Sequence, residues 1–417
     1  MSTIKPRTLS GFNDYLPPQM AVRQRLLTII REVYESYGFE QLNTPTLEYT
    51  DILLGKYGQE ADKLVYRFND LGGRDVAMRY DLTVPLARVA AQYQDLVKPF
   101  KRYQIQPVWR ADRPGKGRYR EFTQCDVDVI GSSSPLTDAE LIAILYEVYT
   151  RIGFKQFTIR LNSRQVLFAA MKQANIPEDK ALTVIQSIDK LDKLPKTGVE
   201  AELAGKGFTK TQIKAVFAAL EQAQPDSYLQ QVIDHLPMLG VDSAFYRFDP
   251  VLARGLDYYT GPIFETVVEE PKIGSISAGG RYDNLIGRFT GKSMPAAGTS
   301  IGLERVVDVI MENGIWGDVT PSVTQVLVAQ MDPALESGAV ALSRELRQAG
   351  IRTELYHESD KLAAQLKYAN KKHIPLVAIF GPDEAKDEMV MVKDMNSGKQ
   401  KLITLHQVAD YAKGLLP

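Results

Sequence analysis

The sequence has 417 residues, of which 44% are hydrophobic and 24% charged, with 50 basic side chains against 51 acidic ones. This balance is typical of a globular protein of two or three domains, and it excludes a chain that coats DNA through bulk positive charge. No apolar run approaches the ~18 residues that span a bilayer, so we expect no membrane segment. Because the charges balance, we also expect that DNA is not a partner.

Cysteine and histidine usage restricts the chemistry. Cys125 is the single cysteine, which excludes an internal disulfide and a cysteine-rich zinc site and suggests a reducing, cytoplasmic location. The N-terminal stretch lacks an apolar core, so we expect no signal peptide. The first of the four histidines is His235, and the region before it can hold neither a histidine-based triad nor a two-histidine metal helix. Chemistry there must rely on arginines, carboxylates and positioning.

A helix followed by an extended segment is predicted near the N-terminus. Apolar residues recur at three- and four-residue steps over 20–38, and Gly38 is a plausible end to this helix. The extended run 41–47 contains Pro45, which cannot donate to a central sheet ladder. The run is therefore either a strand at an edge or interface, or a loop.

The segment 76–87 is predicted as a strand that presents Arg79 and Asp81 on one face, with Thr83 following. An arginine and an aspartate at this spacing usually form a surface ion pair.

The stretch 101–131 is predicted as two strands joined by a basic turn. The first strand alternates around Tyr103, which is typical of a half-buried strand, and ends at Arg110. The second strand has an apolar face and a mixed polar face, and we expect the polar face to form the floor of a cleft. That polar face consists of Phe122, Gln124, Asp126 and Asp128. The basic turn is either a solvated hairpin or a phosphate site, for which the planar fork of arginine is suited.

The composition of the chain changes in the segment that follows. Residues 137–153 are predicted as an amphipathic helix and 157–161 as a short strand. From about 165 to 240 the sequence has few aromatic residues and reads as a series of amphipathic helices. We interpret this region as a helical insertion that carries no catalytic residue.

A loop rich in glycine and tyrosine, Arg254-Gly-Leu-Asp-Tyr-Tyr-Thr-Gly261, precedes a strand predicted at 262–268. Glycines allow a backbone to approach a ligand closely, and Tyr258 and Tyr259 offer aromatic walls with hydroxyl tips. A structural turn with packed tyrosines is the alternative.

Small residues lead into a helix over 296–312, with Arg305 in its early turns. A helix-packing pair of glycines would explain Gly298 and Gly302. After Pro321 strands predicted at 325–330, 352–356 and 376–380 alternate with helices at 334–349 and 361–372. A hairpin with Asn396 at its turn and a last helix follow, and the alternation predicts an α/β domain with a mostly parallel sheet.

Three of these blocks resemble the signature motifs of class II aminoacyl-tRNA synthetases. The first helix and its proline-bearing segment resemble motif 1, Arg110 with the Gly-Arg-Tyr-Arg-Glu-Phe turn resembles motif 2, and the glycines that lead to Glu304-Arg305 resemble motif 3. The octet 254–261 is similar to the block peculiar to histidyl-tRNA synthetases, and 277–283 is similar to their second histidine block. The sequence Arg-Tyr-Asp-Leu-Thr at 79–83 more closely resembles that of the eukaryotic-type branch of that family.

This resemblance implies an α+β fold. A class II catalytic domain is expected over residues 1–320, with an antiparallel sheet flanked by helices and the helical insertion at about 165–240. An anticodon-binding α/β domain is expected over 324–417, and motif 1 implies a homodimer. The implied activity is that of a histidine–tRNA ligase, which forms histidyl-adenylate from L-histidine and ATP and passes the acyl group to tRNA(His). ATP is then a substrate, and Mg²⁺ is expected with it, although its ligands cannot be named.

The roles of individual residues are likewise implied by the resemblance. Arg110 and Arg254 are the expected catalytic residues. The residues expected to bind histidine are Asp81, Leu82, Thr83, Arg110, Gln124, Asp128, Arg254, Tyr258 and Tyr259. The residues expected to bind ATP are Arg110, Asp112, Arg118, Phe122 and Arg305. Asp112 is shorter than the glutamate that many class II enzymes carry at its position.

Two alternatives remain. One is a non-catalytic, histidine-sensing regulatory paralogue of the synthetase, but such paralogues lack the C-terminal domain and degrade the set of arginines that this chain keeps. The other is a class II synthetase of different specificity, such as a threonyl or prolyl enzyme, against which the complete octet argues.

Overall fold

The computed structural model describes residues 3–55, 65–253, 258–317, 322–358 and 360–416. The chain divides into two compact units, one formed by 1–14 with 23–316 and the other by 15–22 with 317–417. Arg254, an expected catalytic residue, lies outside the described residues. Within the described ranges, no helix combines the length and the apolar character that a membrane crossing requires.

Eight of the described strands form the main sheet of the first unit. The described strands of this unit are β1 (Glu40–Gln41), β2 (Leu47–Tyr49), β3 (Arg67–Asn69), β4 (Asp75–Met78), β5 (Phe100–Trp109), β6 (Glu121–Ile130), β7 (Thr158–Ser163), β8 (Tyr246–Phe248), β9 (Pro262–Val267), β10 (Ser277–Arg281) and β11 (Ala296–Gly302). The main sheet has the order β1-β5-β6-β11-β10-β9-β7-β8. Its central pairings are antiparallel, and its two outermost pairings are parallel. This architecture confirms the expected antiparallel sheet.

Helices accompany the sheet. The described helices of this part of the chain are α1 (Pro17–Ser36), α2 (Thr50–Leu54), α3 (Thr83–Gln92), α4 (Pro135–Ile152), α5 (Arg164–Gln173), α6 (Glu178–Ile188), α7 (Lys196–Gly205), α8 (Lys210–Gln222), α9 (Ser227–His235), α10 (Gly287–Thr290) and α11 (Leu303–Glu312). Helix α4 shows why such a segment starts and stops where it does. The Ser134 side chain accepts a hydrogen bond from the Leu136 N–H, Pro135 occupies the first helical position, and Gly153 ends the helix with a left-handed φ of 99°.

The first predicted helix is present as α1, but the segment 41–47 is only briefly extended. It leaves β1 after Gln41 and pairs again as β2 from Leu47. Strands β2, β4 and β3 form a separate three-stranded sheet.

The prediction of one strand over 76–87 is wrong. Strand β4 ends at Met78, and helix α3 begins at Thr83. Pro85 stands in the first turn of α3, where its missing N–H breaks no helical hydrogen bond. Arg79 and Asp81 therefore lie in a link between elements and not on a strand face.

The small residues 296–302 also differ from the prediction, because they form strand β11 and not the entry of a helix. The interpretation of Gly298 and Gly302 as a helix-packing pair is therefore wrong. Helix α11 starts after them at Leu303, with Arg305 in its first turn.

The predicted helices between about 165 and 240 are present as α5 to α9. Helices α5 to α8 share an apolar cluster whose fully or almost fully buried members include Leu167, Val184, Leu203, Val216 and Leu220. These helices account for the amphipathic patterns of the region.

The second unit carries a five-stranded sheet. Its described elements are β12 (Val326–Gln330), α12 (Glu336–Gln348), β13 (Thr353–Leu355), α13 (Leu362–Lys371), β14 (Leu376–Phe380), α14 (Pro382–Lys386), β15 (Met389–Asp394), β16 (Gln400–Thr404) and α15 (Val408–Leu415). In the order β13-β12-β14-β15-β16, the pairs that include β12 are parallel and the other two are antiparallel. The sheet is therefore mixed, because the predicted hairpin joins the edge of β14.

Candidate active site

The first unit contains a cavity of about 860 Å³ above its main sheet. Strands β6, β9, β10 and β11 supply lining residues, as does the turn between β5 and β6. The sequence-predicted residues that line the cavity are Asp81, Thr83, Arg110, Asp112, Arg118, Phe122, Gln124, Asp128, Tyr258, Tyr259 and Arg305. Most of the residues predicted from separate motifs are thus brought to one place.

Of the predicted residues that the structure describes, Leu82 does not line the cavity. Leu82 is fully buried, and its carbonyl oxygen accepts a hydrogen bond from Arg102 Nη2 at 3.3 Å. Arg254 lies outside the described residues, although Tyr258 and Tyr259 of the same octet line the cavity.

The polar face predicted for β6 is confirmed. Phe122, Gln124, Asp126 and Asp128 all line the cavity, since alternate side chains of a strand project to the same side. On the opposite face Cys125 is fully buried, and its carbonyl oxygen accepts a hydrogen bond from the Tyr34 hydroxyl of α1 at 2.8 Å. The strand is thus held from behind by apolar packing and presents polar groups in front.

The carboxylate of Asp128 is engaged on both oxygens. Arg102 Nη2 lies 2.8 Å from Oδ2, and the Tyr282 hydroxyl donates a hydrogen bond to Oδ1. Burial raises the pKa of Asp128, while Arg102 and the Tyr282 hydrogen bond oppose the rise. Each carboxylate oxygen has two lone pairs, so Asp128 keeps capacity to accept from a ligand.

Because Gly298 has no side chain, the space beside it can be occupied by the Asp128 carboxylate. The two residues are partners across the β6–β11 ladder. A Cβ at residue 298 would lie 1.9 Å from Asp128 Oδ1, which is far below any allowed contact. Gly298 is therefore explained by close approach within the sheet.

Asp81 presents a buried acceptor to the cavity. Its Oδ1 accepts a hydrogen bond from the Val84 N–H at 3.1 Å, at the start of α3. Its Oδ2 is buried and has no hydrogen-bond partner among the described residues. Burial raises the pKa of Asp81 to about 6, against the opposing effects of this backbone hydrogen bond, Arg110 and Arg102.

Gln124 presents a second acceptor of the same kind. Its Nε2 donates to Ser300 Oγ at 2.8 Å, whereas its Oε1 is buried and finds no partner among the described residues. A buried polar atom without a partner is costly, by about 1–3 kcal/mol. Two residues that line one cavity thus carry such acceptors, which suits a ligand with several N–H donors.

Arg110 stands where β5 has just ended. Its Nε donates to the carbonyl oxygen of Tyr80 at 2.9 Å, and its guanidinium lies 5.1 Å from the ring centroid of Phe122. In the described ranges no carboxylate forms an ion pair with Arg110. The arginine is held in place by neutral contacts, which leaves its charge for an anionic ligand.

The other predicted arginines lie in the basic turn and on α11. Arg305 donates from Nε to the carbonyl oxygen of Gly117 at 2.7 Å and from Nη1 to that of Ser275 at 2.6 Å. Arg118 Nη2 lies 2.9 Å from Asp112 Oδ2. The turn is thus tied to the helix that carries Arg305, and two of the residues expected to bind ATP are paired with each other.

Sequence reasoning missed several residues of this site. Arg102 was not predicted as a site residue, but it is fully buried together with Gln104. The signal was the polar parity of β5, in which Arg102, Gln104 and Gln106 alternate with the apolar residues. Tyr282 and Ser300 also line the cavity. Tyr282 lies in the block 277–283 that resembles the second histidine block, but no spacing in the sequence pointed to Ser300.

The described residues offer no resident metal site. No three of their His, Cys, Asp or Glu side chains come together as a metal-binding group. Of the carboxylates beside the arginines, Asp112 is paired with Arg118 and Glu304 with Arg23. These residues do not fit a protein-held cation.

The fold and its motifs define a class of protein. The first unit is an antiparallel sheet flanked by helices. One arginine lies at the end of a central strand, and another lies on the helix that follows a neighbouring strand. This is the fold of a class II aminoacyl-tRNA synthetase. A separate α/β unit follows it.

Comparison with known proteins identifies the family. A family model described as histidyl-tRNA synthetase matches residues 11–306, and one described as anticodon binding domain matches residues 325–415. The histidine–tRNA ligase of Gloeobacter violaceus is 42% identical, over 98% of this chain and 98% of its own. The chain therefore belongs to the histidyl-tRNA synthetase family.

Solved structures agree with this assignment. The crystal structure of histidyl-tRNA synthetase from Nostoc sp. is 33% identical and superposes with a TM-score of 0.86, over 99% of this chain and 100% of that chain. A Bacillus halodurans protein described as an ATP phosphoribosyltransferase regulatory subunit/histidyl-tRNA synthetase shares the fold, with a TM-score of 0.72 at 20% identity over 88% of this chain and 97% of that chain.

Proposed function

We infer that the protein is a histidine–tRNA ligase, which activates L-histidine with ATP and transfers the product to tRNA(His). The observation that carries this inference is the cavity itself. Asp81 and Gln124, which carry buried acceptors without partners among the described residues, line the same cavity as Arg110 and Arg305. An amino acid needs the first kind of group for its ammonium, and a nucleoside triphosphate needs the second for its phosphates.

The α-ammonium of histidine suits the unpartnered acceptors. We propose that it donates to Asp81 Oδ2 and Gln124 Oε1, with the Thr83 hydroxyl as a third acceptor. The group of buried carboxylates in the cavity supports this orientation. Burial raises the pKa values of Asp81, Asp126 and Asp128; within the described ranges, Arg102 opposes the rise at all three, and Arg110 also opposes it at Asp81. A cationic ligand likewise favours the charged form of these carboxylates.

The imidazole is proposed to bind between Asp128 and the tyrosines. Tyr258 and Tyr259 have ring centroids 4.7 Å apart, and Tyr258 lies edge-on to Tyr282 at 5.9 Å. This aromatic wall, with its hydroxyls and the Asp128 carboxylate, suits a flat ring with polar nitrogens. A site that hydrogen-bonds such atoms can discriminate by roughly 10⁴-fold against analogues that lack them.

The first step is attack of the histidine carboxylate on the α-phosphate of ATP, which releases pyrophosphate. Such a step depends on positioning and charge stabilisation more than on a covalent nucleophile. We propose that Arg110 holds the carboxylate and α-phosphate, and that Arg254 stabilises the α-phosphate in the transition state. A ribose hydroxyl of the terminal tRNA adenosine then attacks the acyl group and releases AMP.

ATP is proposed to bind at the arginine-rich end of the cavity. Phe122 would stack on the adenine, and Arg305 would flank it and contact the γ-phosphate, with Asp112 and Arg118 at the turn. Mg²⁺ is proposed to enter with the phosphates of ATP, since it is usually held by phosphates and water more than by a protein cage.

The parts of the chain receive roles on the same basis. We propose a catalytic domain over 1–320 with an insertion at about 165–240, and an anticodon-binding domain over 324–417. A homodimer and a cytoplasmic location are further proposals, the first testable by sedimentation of the intact chain.

A histidine-sensing regulatory subunit is the second candidate. The Bacillus halodurans likeness gives it a fold-level precedent, and such a protein would bind histidine without adenylating it. Arg110 and Arg305 in the cavity, and the anticodon-binding match over 325–415, favour the enzyme.

The decisive experiment is ATP–pyrophosphate exchange with each proteinogenic amino acid in turn. We expect exchange with histidine alone, and loss of that exchange in Arg254→Ala. The matched control is Arg151→Ala, which removes an arginine from the exposed side of α4 and should retain the activity. Histidine binding without any exchange would establish the sensor in place of the ligase.

A further inference from the structure

The contacts of Gln124 fix which end of its side-chain amide faces the cavity. Its Nε2 donates to Ser300 Oγ at 2.8 Å, and it lies 3.4 Å from Asp126 Oδ1. Ser300 and Asp126 are partners across the β6–β11 ladder, so the sheet register holds both acceptors at the same end of the amide. The opposite end, Oε1, is the buried atom that finds no partner among the described residues.

The polarity of this arrangement follows from donor chemistry. An ionised carboxylate can only accept, and a serine hydroxyl has a single proton to donate. Ser300 also lies close enough to Asp126 for its hydroxyl to lower the pKa of that carboxyl group, against the larger effect of burial, which raises it. If its proton goes to Asp126, its lone pairs must accept from the NH₂ group of Gln124. The amide oxygen is then forced to the other side.

We propose that Ser300 and Asp126 are positioning residues that hold the Gln124 amide with its oxygen toward the α-ammonium of the bound amino acid. Neither residue was singled out as a binding residue by the sequence motifs. The proposal rests on the function proposed above, and it explains why Gln124 acts as an acceptor at this site.

The reversed amide would be unfavourable on both sides. It would turn Nε2 toward the ammonium, where two donors would oppose each other, and it would turn Oε1 toward the Asp126 carboxylate. Without Ser300 the orientation of the Gln124 amide is no longer enforced. In the molecules whose amide is reversed, the hydrogen bond from the α-ammonium to Gln124 is lost. We expect a loss of histidine affinity of about tenfold.

The test compares Ser300→Ala with Ser300→Thr by ATP–pyrophosphate exchange. Ser300→Ala should raise the KM for histidine about tenfold and leave the KM for ATP unchanged. Ser300→Thr keeps a hydroxyl and should restore the histidine KM. If both variants raise both KM values alike, the residue has only a packing role and the proposal is overturned.

A double-mutant cycle distinguishes positioning from direct contact. Gln124→Met removes the amide but keeps the length of the side chain. In that background Ser300→Ala should have almost no further effect on the histidine KM, because Ser300 acts through Gln124. Additive effects of the two substitutions would show that Ser300 binds the ligand independently, which contradicts the proposal.

A deaminated ligand provides a second readout. Imidazolepropionate lacks the α-ammonium, so Ser300→Ala and Asp126→Asn should leave its inhibition constant unchanged while both weaken histidine. Equal weakening of the two ligands would overturn the proposal. Absence of histidine-dependent exchange in the unaltered protein would instead refute the proposed function, so the two failures are distinguishable.

Discussion

Arg102 Nη2 lies 2.8 Å from Asp128 Oδ2, and the two side chains are 0% and 3% exposed. They are direct partners across the β5–β6 ladder, so the pair is set by strand register. Arg102 also donates to the carbonyl oxygen of Leu82 and to Gln104 Oε1. The carboxylate that faces the ligand thus has its counterion in the neighbouring strand.

Breaking this pair should destabilise the protein. Arg102→Met leaves the Asp128 charge buried without its counterion, and we expect the free energy of unfolding to fall by about 3–5 kcal/mol. Urea denaturation followed by circular dichroism measures the change. The control is Arg118→Ala, whose pair with Asp112 is half-exposed and should contribute at most about 1 kcal/mol. Similar losses in the two variants would argue against a special role for the buried pair.

Gly298→Ala should disturb the site through Asp128. The added Cβ would lie 1.9 Å from Asp128 Oδ1, so the carboxylate or the strand must move, and overpacking of this kind typically costs about 1–3 kcal/mol. We expect a lower melting temperature and a higher KM for histidine. Gly302→Ala on the same strand is the control, since its nearest atom would be Ile276 O at 3.8 Å. If the control proves as damaging as Gly298→Ala, the steric explanation fails.

Phe122→Ala should weaken ATP more than histidine. Stacking of a base on an aromatic ring is worth about 1–3 kcal/mol by alanine substitution, so the KM for ATP should rise about tenfold or more. Phe122→Trp keeps an aromatic surface and should retain most of the affinity. The measurement is pyrophosphate exchange at varied ATP with saturating histidine. An unchanged KM for ATP in the alanine variant would remove Phe122 from the adenine site.

The pH dependence of stability should carry the signature of Asp126. Burial and the neighbouring Asp128 raise its pKa from 3.8 to about 7, while Arg102 and the Ser300 hydroxyl oppose the rise and Asp81 adds to it. Between these two values the folded protein binds the proton more tightly than the unfolded chain does. The stability contribution of Asp126 therefore falls as the pH rises through that window.

Comparison with Asp126→Asn isolates this contribution from other titrations. From about pH 4 to about pH 7, the melting temperature of the unaltered protein should fall relative to that of the variant. Differential scanning calorimetry of both proteins across this range measures the difference. A difference that does not vary with pH would show that Asp126 does not titrate there.

The sequence by itself determined the elements that depend on local periodicity. The two faces of β6, the helices between about 165 and 240 and the alternating second unit each follow from the spacing of apolar residues along one segment. The position of Arg110 at a strand end was readable for the same reason. These features depend on a few neighbouring residues, so a single sequence contains the information.

Only the tertiary structure decided what those residues touch. The pairing of Arg102 with Asp128, the hydrogen bond from Tyr282 and the orientation of the Gln124 amide join segments that are distant in the chain. The link between β4 and α3, which carries Asp81 to the cavity, was mistaken for a strand. Strand register and close packing fix these contacts, because a shift of one residue along a strand turns each side chain to the other face of the sheet.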